Sequence, residues 1–140
     1  MSSWCALGQN VDYLSLTEIL LIHARLVQQT GGAEGVRDLT LLESAVARPK
    51  AIFGGENLYP DLWEKAAELM ESLIQNHPFV DGNKRSGLAA AGIMLERNGY
   101  RFTADNDQVF DLTMSVARGD MRHKKITRWL EESCERLEAV

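Results

Sequence analysis

His77-Pro78-Phe79-Val80-Asp81-Gly82-Asn83-Lys84-Arg85 sets a histidine, a carboxylate, a glycine and two cations at the junction of two helical segments. Lys84 through Asn98, rich in alanine and leucine, is predicted as a helix that Gly99 closes as a left-handed cap. Its Ala89-Ala90-Ala91-Gly92 run lacks bulk, so this helix should pack centrally with its neighbours close. Upstream, Asp61 with Glu64 starts a helix that runs to Asn76, and Leu62, Ala66, Leu69 and Leu73 form one buried stripe along it. The quoted residues therefore join two core helices, and the fold is set by what packs around that pair.

Farther out the signals are again helical. Ser15 with Glu18 forms a capping box, Leu14 and Ile19 are spaced as a hydrophobic staple, and the helix they start runs to Gly31-Gly32. Thr40 and Glu43 open a second helix that ends at Pro49. Asp105 with Gln108 starts another, closed near Gly119, and a last one carries Ile126, Trp129, Leu130 and Leu137. This is an all-α chain of about six helices, and its 140 residues make one domain able to bury a proper core. The domain is expected over residues 13–138, after a flexible N-terminal segment of residues 1–12. No repeat, linker or low-complexity segment interrupts it. One stretch, Lys50 to Tyr59, is not helical: Gly54-Gly55 divides two short runs as in a tight hairpin, and hairpin and plain interhelical loop fit these residues equally well.

The chemistry of the quoted stretch follows from its order. Lys84 and Arg85 fall in the first turn of their helix, where cations oppose the helix dipole at a cost of about 0.3–1 kcal/mol each. A bound anion reverses that sign, so exposed N–H groups, Gly82, Lys84 and Arg85 together read as a phosphate cradle. His77, biased by Pro78 toward an extended backbone at the loop mouth, can take a proton from a hydroxyl. Asp81 offers a hard oxygen to the magnesium that accompanies a nucleotide phosphate, and Phe79 anchors the loop to the core. Taken singly these are a capping histidine, turn chemistry and a solvated basic face; their conjunction at fixed spacing points to a site.

Composition narrows the classes. Fifteen basic against 20 acidic residues give a net charge of −5, which argues against direct nucleic-acid binding by phosphate neutralisation. Cys5 and Cys134 lack metal-type spacing and read as free thiols of a reducing compartment. With no leader-like start and no run of membrane-spanning length, a cytoplasmic protein without membrane contact is expected. His23 reads as a packed or surface histidine, and Arg122-His123-Lys124-Lys125 as a solvated face able to meet an acidic partner.

His77-x-Phe79-x-Asp81-Gly82-Asn83-Lys84-Arg85 resembles the signature of the Fic/Doc family, and specifically its death-on-curing (Doc) toxin branch. The likeness extends from about Tyr13 to about Leu137, including Gly31-Gly32 through Arg48-Pro49 and the Asn98-Gly99-Tyr100 step. The wider family pattern, H-x-F-x-[DE]-G-N-G-R-x-x-R, marks enzymes that transfer AMP to protein hydroxyls. Here Lys84 replaces its second glycine, and Leu88 stands where its final arginine would be. Lying one turn apart on one face, they remove space and a bidentate phosphate contact from the AMP-transfer pose. For the Doc branch the resemblance implies a flipped ATP whose γ-phosphate meets the target hydroxyl. His77 would be the base, Asp81 the magnesium ligand, and Gly82, Asn83, Lys84 and Arg85 the groups that stabilise the transferring phosphoryl.

The resemblance further implies a Fic-like helical bundle in which Lys50–Tyr59 is a flap that holds the target segment by strand pairing. It implies a kinase toxin of a type II toxin–antitoxin system that inhibits translation, elongation factor Tu being the implied target, and a cognate antitoxin whose disordered tail folds on the toxin. The alternatives are an AMP or other nucleotidyl transferase and a non-catalytic binding module. The internal inhibitory pattern of some Fic proteins, [ST]-x-x-x-E-[GN], is approached at Thr127 to Glu131, but Glu132 follows.

Overall fold

The structure is a computed structural model and describes residues 10–137. Six α-helices are present among them: α1 (Leu16–Thr30), α2 (Leu39–Ala47), α3 (Leu62–Asn76), α4 (Asn83–Arg97), α5 (Asn106–Ala117) and α6 (His123–Glu132). Two small antiparallel pairs accompany them, β1 (Ile52–Phe53) with β2 (Glu56–Asn57), and β3 (Tyr100–Phe102) with β4 (Cys134–Arg136). This is the expected all-α bundle with its short hairpin. Cys5 and nearly all of the expected N-terminal segment lie outside the described residues. At that segment's end, Asp12 and the Asn98 side chain exchange hydrogen bonds of 2.9 and 3.0 Å.

The bundle is built around α3. Asp61 caps it, accepting from the Glu64 N–H at 2.8 Å, and every residue from Leu62 to Ile74 except the half-buried Glu64 is buried. A helix buried on all sides must satisfy its polar groups inside: Lys65, fully buried, donates from Nζ to the Pro49 carbonyl at 3.1 Å, with Nζ 5.5 Å from the Tyr13 ring centroid. Leu69, Met70, Leu73 and Ile74 carry the stripe, each contributing about 1.5–3 kcal/mol by its burial. α4 lies directly on α3. A methyl group at Gly87 would stand 2.7 Å from Ile74 Cγ1, so it is this glycine, just ahead of the Ala89–Gly92 run, that lets the two helices approach closely.

The start signals at Ser15 and Asp105 operate as full capping boxes, and α1 ends at a left-handed Gly31. Three sequence expectations are corrected. α2 begins at Leu39, because the Asp38 carboxylate accepts from the Leu41 N–H at 3.0 Å and so caps the helix before Thr40. It ends at Ala47, and a 3₁₀ turn, Arg48–Lys50, carries the chain on through Pro49. α6 ends at Glu132, leaving Leu137 beyond β4, since residues 134–136 find their backbone partners on β3, in register Tyr100↔Arg136 and Phe102↔Cys134.

The hairpin turns on Gly54 and Gly55, both at positive φ, and leaves Ile52 68% and Phe53 79% exposed. The basic run is the expected solvated face at Arg122, Lys124 and Lys125, which are exposed, whereas His123 turns partly inward toward α3. Arg122 Nε donates to Glu71 at 2.7 Å, and His123 Nδ1 lies 2.8 Å from Glu68 Oε2, poorly aligned as a hydrogen bond but an ion pair when the ring is protonated. Glu68 also accepts from Arg48 Nε at 2.9 Å, and Arg48 donates onward to the Tyr59 hydroxyl. The nearby Glu64 carboxyl is pushed up, chiefly by burial and then by Asp61. Among the described residues no helix is long and apolar enough to cross a membrane.

Candidate active site

The loop 77–82 connects the two central helices, so its ends are fixed by the core. Phe79 is 1% exposed and its ring stacks on His23 at 3.7 Å with an interplanar angle of 4°. His23 is buried, and its Nε2–H donates to the Asp81 carbonyl at 2.7 Å. The expectation of a packed histidine holds, and the packing is on the loop itself. Asn83 folds back on the same turn, its Oδ1 accepting from the Phe79 N–H at 2.9 Å and its Nδ2 donating to the Phe79 carbonyl at 3.1 Å. Apolar burial and three side-chain hydrogen bonds thus hold the centre of the loop, leaving His77, Val80 and Asp81 exposed.

His77 departs from its expected extended backbone. It caps α3 with φ 50° and ψ 55°, the one non-glycine residue at positive φ among those described. Such a conformation costs about 1–3 kcal/mol and persists only where its surroundings impose it. Those surroundings are the segment between α1 and α2. Arg37 donates from Nε to the His77 carbonyl at 2.6 Å and from its terminal nitrogen to the Asn76 carbonyl at 2.9 Å. The Arg37 and Asp38 N–H groups share the Pro78 carbonyl at 2.7 and 3.0 Å, and the Val80 N–H donates to the Gly35 carbonyl at 3.0 Å.

Asp81 is held by the same segment. Its Oδ1 accepts from the Gly82 N–H at 2.8 Å and its Oδ2 from the Ala33 N–H at 3.3 Å. These N–H groups, first Ala33 and then Gly82, hold its carboxyl below the usual carboxylate range, and Arg85 and His23 add to the effect. The group is an exposed, ionised oxygen donor, which fits a magnesium ion that draws its other ligands from nucleotide phosphates and water.

The start of α4 is open. Gly82, at φ 79°, is the cap residue and supplies no side chain, and the first turn contains no acid. The first backbone bond into the helix runs from the Ser86 N–H to Gly82, leaving the N–H groups of Asn83, Lys84 and Arg85 outside the ladder. Lys84 and Arg85 are exposed, and Arg85 donates to Thr30 Oγ1. An anion at this end would meet N–H groups, the helix dipole and both cations. All the residues expected from the sequence therefore lie on one loop and the helix turn that follows it. Arg37, His23 and the Ala33 N–H were missed as parts of the site. The Gly31-Gly32 pair hinted at a close approach there, but nothing local to Arg37 shows that it reaches across to α3.

A helical domain whose core pair carries an exposed histidine ahead of an uncapped basic helix start is the class that fold and site define. Residues 13–95 match the family described as Fic/DOC. The chain is 50% identical over 92 residues to "Toxin Doc" of Mycolicibacterium smegmatis, covering 64% of this chain and 71% of that one. It is 30% identical over 109 residues to "Protein kinase doc" of Escherichia phage P1, covering 78% and 85%. The chain belongs to the Fic/Doc family, in its death-on-curing branch.

Proposed function

We propose that this protein is the toxin of a toxin–antitoxin pair and acts as a protein kinase, moving the γ-phosphoryl of ATP to a hydroxyl on a translation factor. Elongation factor Tu is the target implied by the sequence resemblance. The names of the two relatives, a toxin and a protein kinase, support the reading. The observation that carries it is the open start of α4, with Lys84 and Arg85 and no acidic residue in its first turn, directly after the loop that presents an exposed His77. Leu88, which stands where the wider family has a cation, packs partly buried against the core and offers no second phosphate grip on that face.

In this mechanism the neutral imidazole of His77 takes the proton of the target hydroxyl as its oxygen attacks the γ-phosphorus, and the bond to the bridging oxygen of ADP breaks. The N–H groups of Asn83, Lys84 and Arg85, with the two cationic side chains, stabilise the charge that spreads over the phosphoryl oxygens. Asn83 contributes by its backbone, since its side chain is committed to Phe79. Asp81 would hold magnesium, which when bound neutralises phosphate charge. The protruding hairpin, with Ile52 and Phe53 exposed, suits an extended target segment adding to its edge. An antitoxin tail would find a groove between α1 and α4, a cavity of about 400 Å³ with an apolar floor of Leu21, Ile22, Leu26, Ala89 and Ile93 and a polar lining of Glu18, Arg25, Gln29 and Arg97.

Incubating the protein and purified elongation factor Tu with magnesium and ATP labelled at either the α- or the γ-phosphate tests the chemistry. Label from the γ position alone on the target is the expected result. Label from the α position means AMP transfer and overturns the kinase reading. Growth arrest that survives His77→Ala assigns toxicity to binding alone.

A further inference from the structure

The left-handed backbone of His77 runs against its own sequence, because a residue before proline is pushed toward extended conformations. We propose that Arg37 is a positioning residue that locks this conformation and thereby aims the imidazole. The inference deepens the kinase reading and rests on it only where turnover is measured.

Arg37 holds two oxygens that flank a single α-carbon. The Asn76 and His77 carbonyls belong to the peptide planes on either side of the His77 α-carbon, so their relative direction is set by φ and ψ of that one residue. In an extended chain successive carbonyls point to opposite sides, and no single planar group could reach both. In the left-handed conformation both fall to one side. The guanidinium meets them with two of its fixed donors, Nε at 2.6 Å and the terminal nitrogen at 2.9 Å. A rigid fork that bridges both oxygens excludes an extended residue 77, and the right-handed helical turn, which also aligns successive carbonyls, is disfavoured by Pro78, so the left-handed pair of angles is what remains. A lysine, a single point of charge on a flexible stem, would not impose it.

The main chain of the same segment closes on the next peptide. The Arg37 and Asp38 N–H groups both donate to the Pro78 carbonyl, and the Gly35 carbonyl accepts from Val80. Residue 77 is therefore clasped on both sides while its side chain stays exposed, as a group that must meet an incoming hydroxyl requires. Since φ and ψ fix the direction of the Cα–Cβ bond, release of the clasp redirects the ring. A misplacement of about 1 Å at a reacting group can cost about 10²-fold in rate.

The test has two arms. In protein without substrate, the ¹³Cα and ¹³Cβ shifts and the HN–Hα coupling of residue 77 report its backbone region. Arg37→Ala and Arg37→Lys should both move that signature from left-handed to extended. In the labelled-ATP assay, kcat should fall about 10²-fold in Arg37→Ala, with KM for ATP changed less than about twofold, and Arg37→Lys should restore only a minor part. Should Arg37→Ala fail to fold, Arg37→Lys carries the same reading. A left-handed signature retained in the folded variants overturns the proposal, as does its loss with kcat unchanged, or a rise in KM alone. Should the wild-type protein transfer no phosphate, the kinase reading fails, and the spectroscopic arm still decides what Arg37 does.

Discussion

The starts of α4 and α6 are built to the same local recipe and have opposite fates. Neither has a side-chain cap or an acid in its first turn, and both carry adjacent cations, Lys84 and Arg85 in one and Arg122 to Lys125 in the other. At α6 the charge is answered from within: Glu71 accepts from Arg122, and Glu68 and Glu64 lie against His123 at 2.8 and 3.6 Å. At α4 the carboxylate at hand is Asp81, whose oxygens are aimed at the Ala33 and Gly82 N–H groups; Arg85 acts on it only as a nearby charge. A basic helix start is thus a receptor for anions only where the fold withholds its own; α3 supplies carboxylates to one start and none to the other.

The largest test of this contrast is at the open end. Replacing His77 with alanine should lower γ-phosphate transfer by about 10²–10⁴-fold, the range of a lost general base, with the melting temperature little changed because the ring is exposed. Next, Lys84→Ala with Arg85→Ala should weaken Mg·ATP binding about tenfold per cation, by calorimetric titration, since hydrogen bonds to charged groups contribute about 1.5–3 kcal/mol each. The same pair should leave the nucleotide-free protein equally or slightly more stable, because two cations repelled by a helix dipole, at about 0.3–1 kcal/mol each, are removed.

The closed end should respond the other way. Glu68→Gln, which loosens Arg48 and His123 together, should cost about 1–3 kcal/mol in urea unfolding and leave nucleotide affinity unchanged. The capped start of α1 gives the smallest effect. Arg97, ahead of the Ser15 N–H, draws the Glu18 carboxyl down to about 2 from 4.5. Its folded value lies below its unfolded one, so its contribution is complete above about pH 4.5 and is lost as pH falls toward 2. Glu18→Gln should therefore flatten the acid limb of the stability profile in that window alone.

The elements that the sequence made legible are those whose cause is local. The capping boxes at Ser15 and Asp105, the Gly54-Gly55 turn and the stripe of α3 each arise within a few residues, and each is found where it was expected. The loop 77–82 was legible as a site because its residues are consecutive, and Phe79 lies buried as its anchor. What was missed needs a partner far along the chain. β4 exists because β3 lies beside it, His123 is drawn in by α3 carboxylates, and His77 adopts the conformation that Pro78 disfavours because a residue 40 positions earlier holds it. The bias of a pre-proline residue was a sound local rule overridden by a tertiary contact.

Gly87 gives the site a dependence that no residue of the loop reveals. The place where a methyl group would sit is occupied by Ile74, one turn before the loop begins, so a single hydrogen atom determines how far apart the stems of His77 and of the Lys84-Arg85 turn stand. Groups on two such stems share one tolerance, and a wedge at their crossing would pull the histidine and the open start of α4 out of step without touching either. The precision of the candidate site is thus stored in the oiliest part of the molecule.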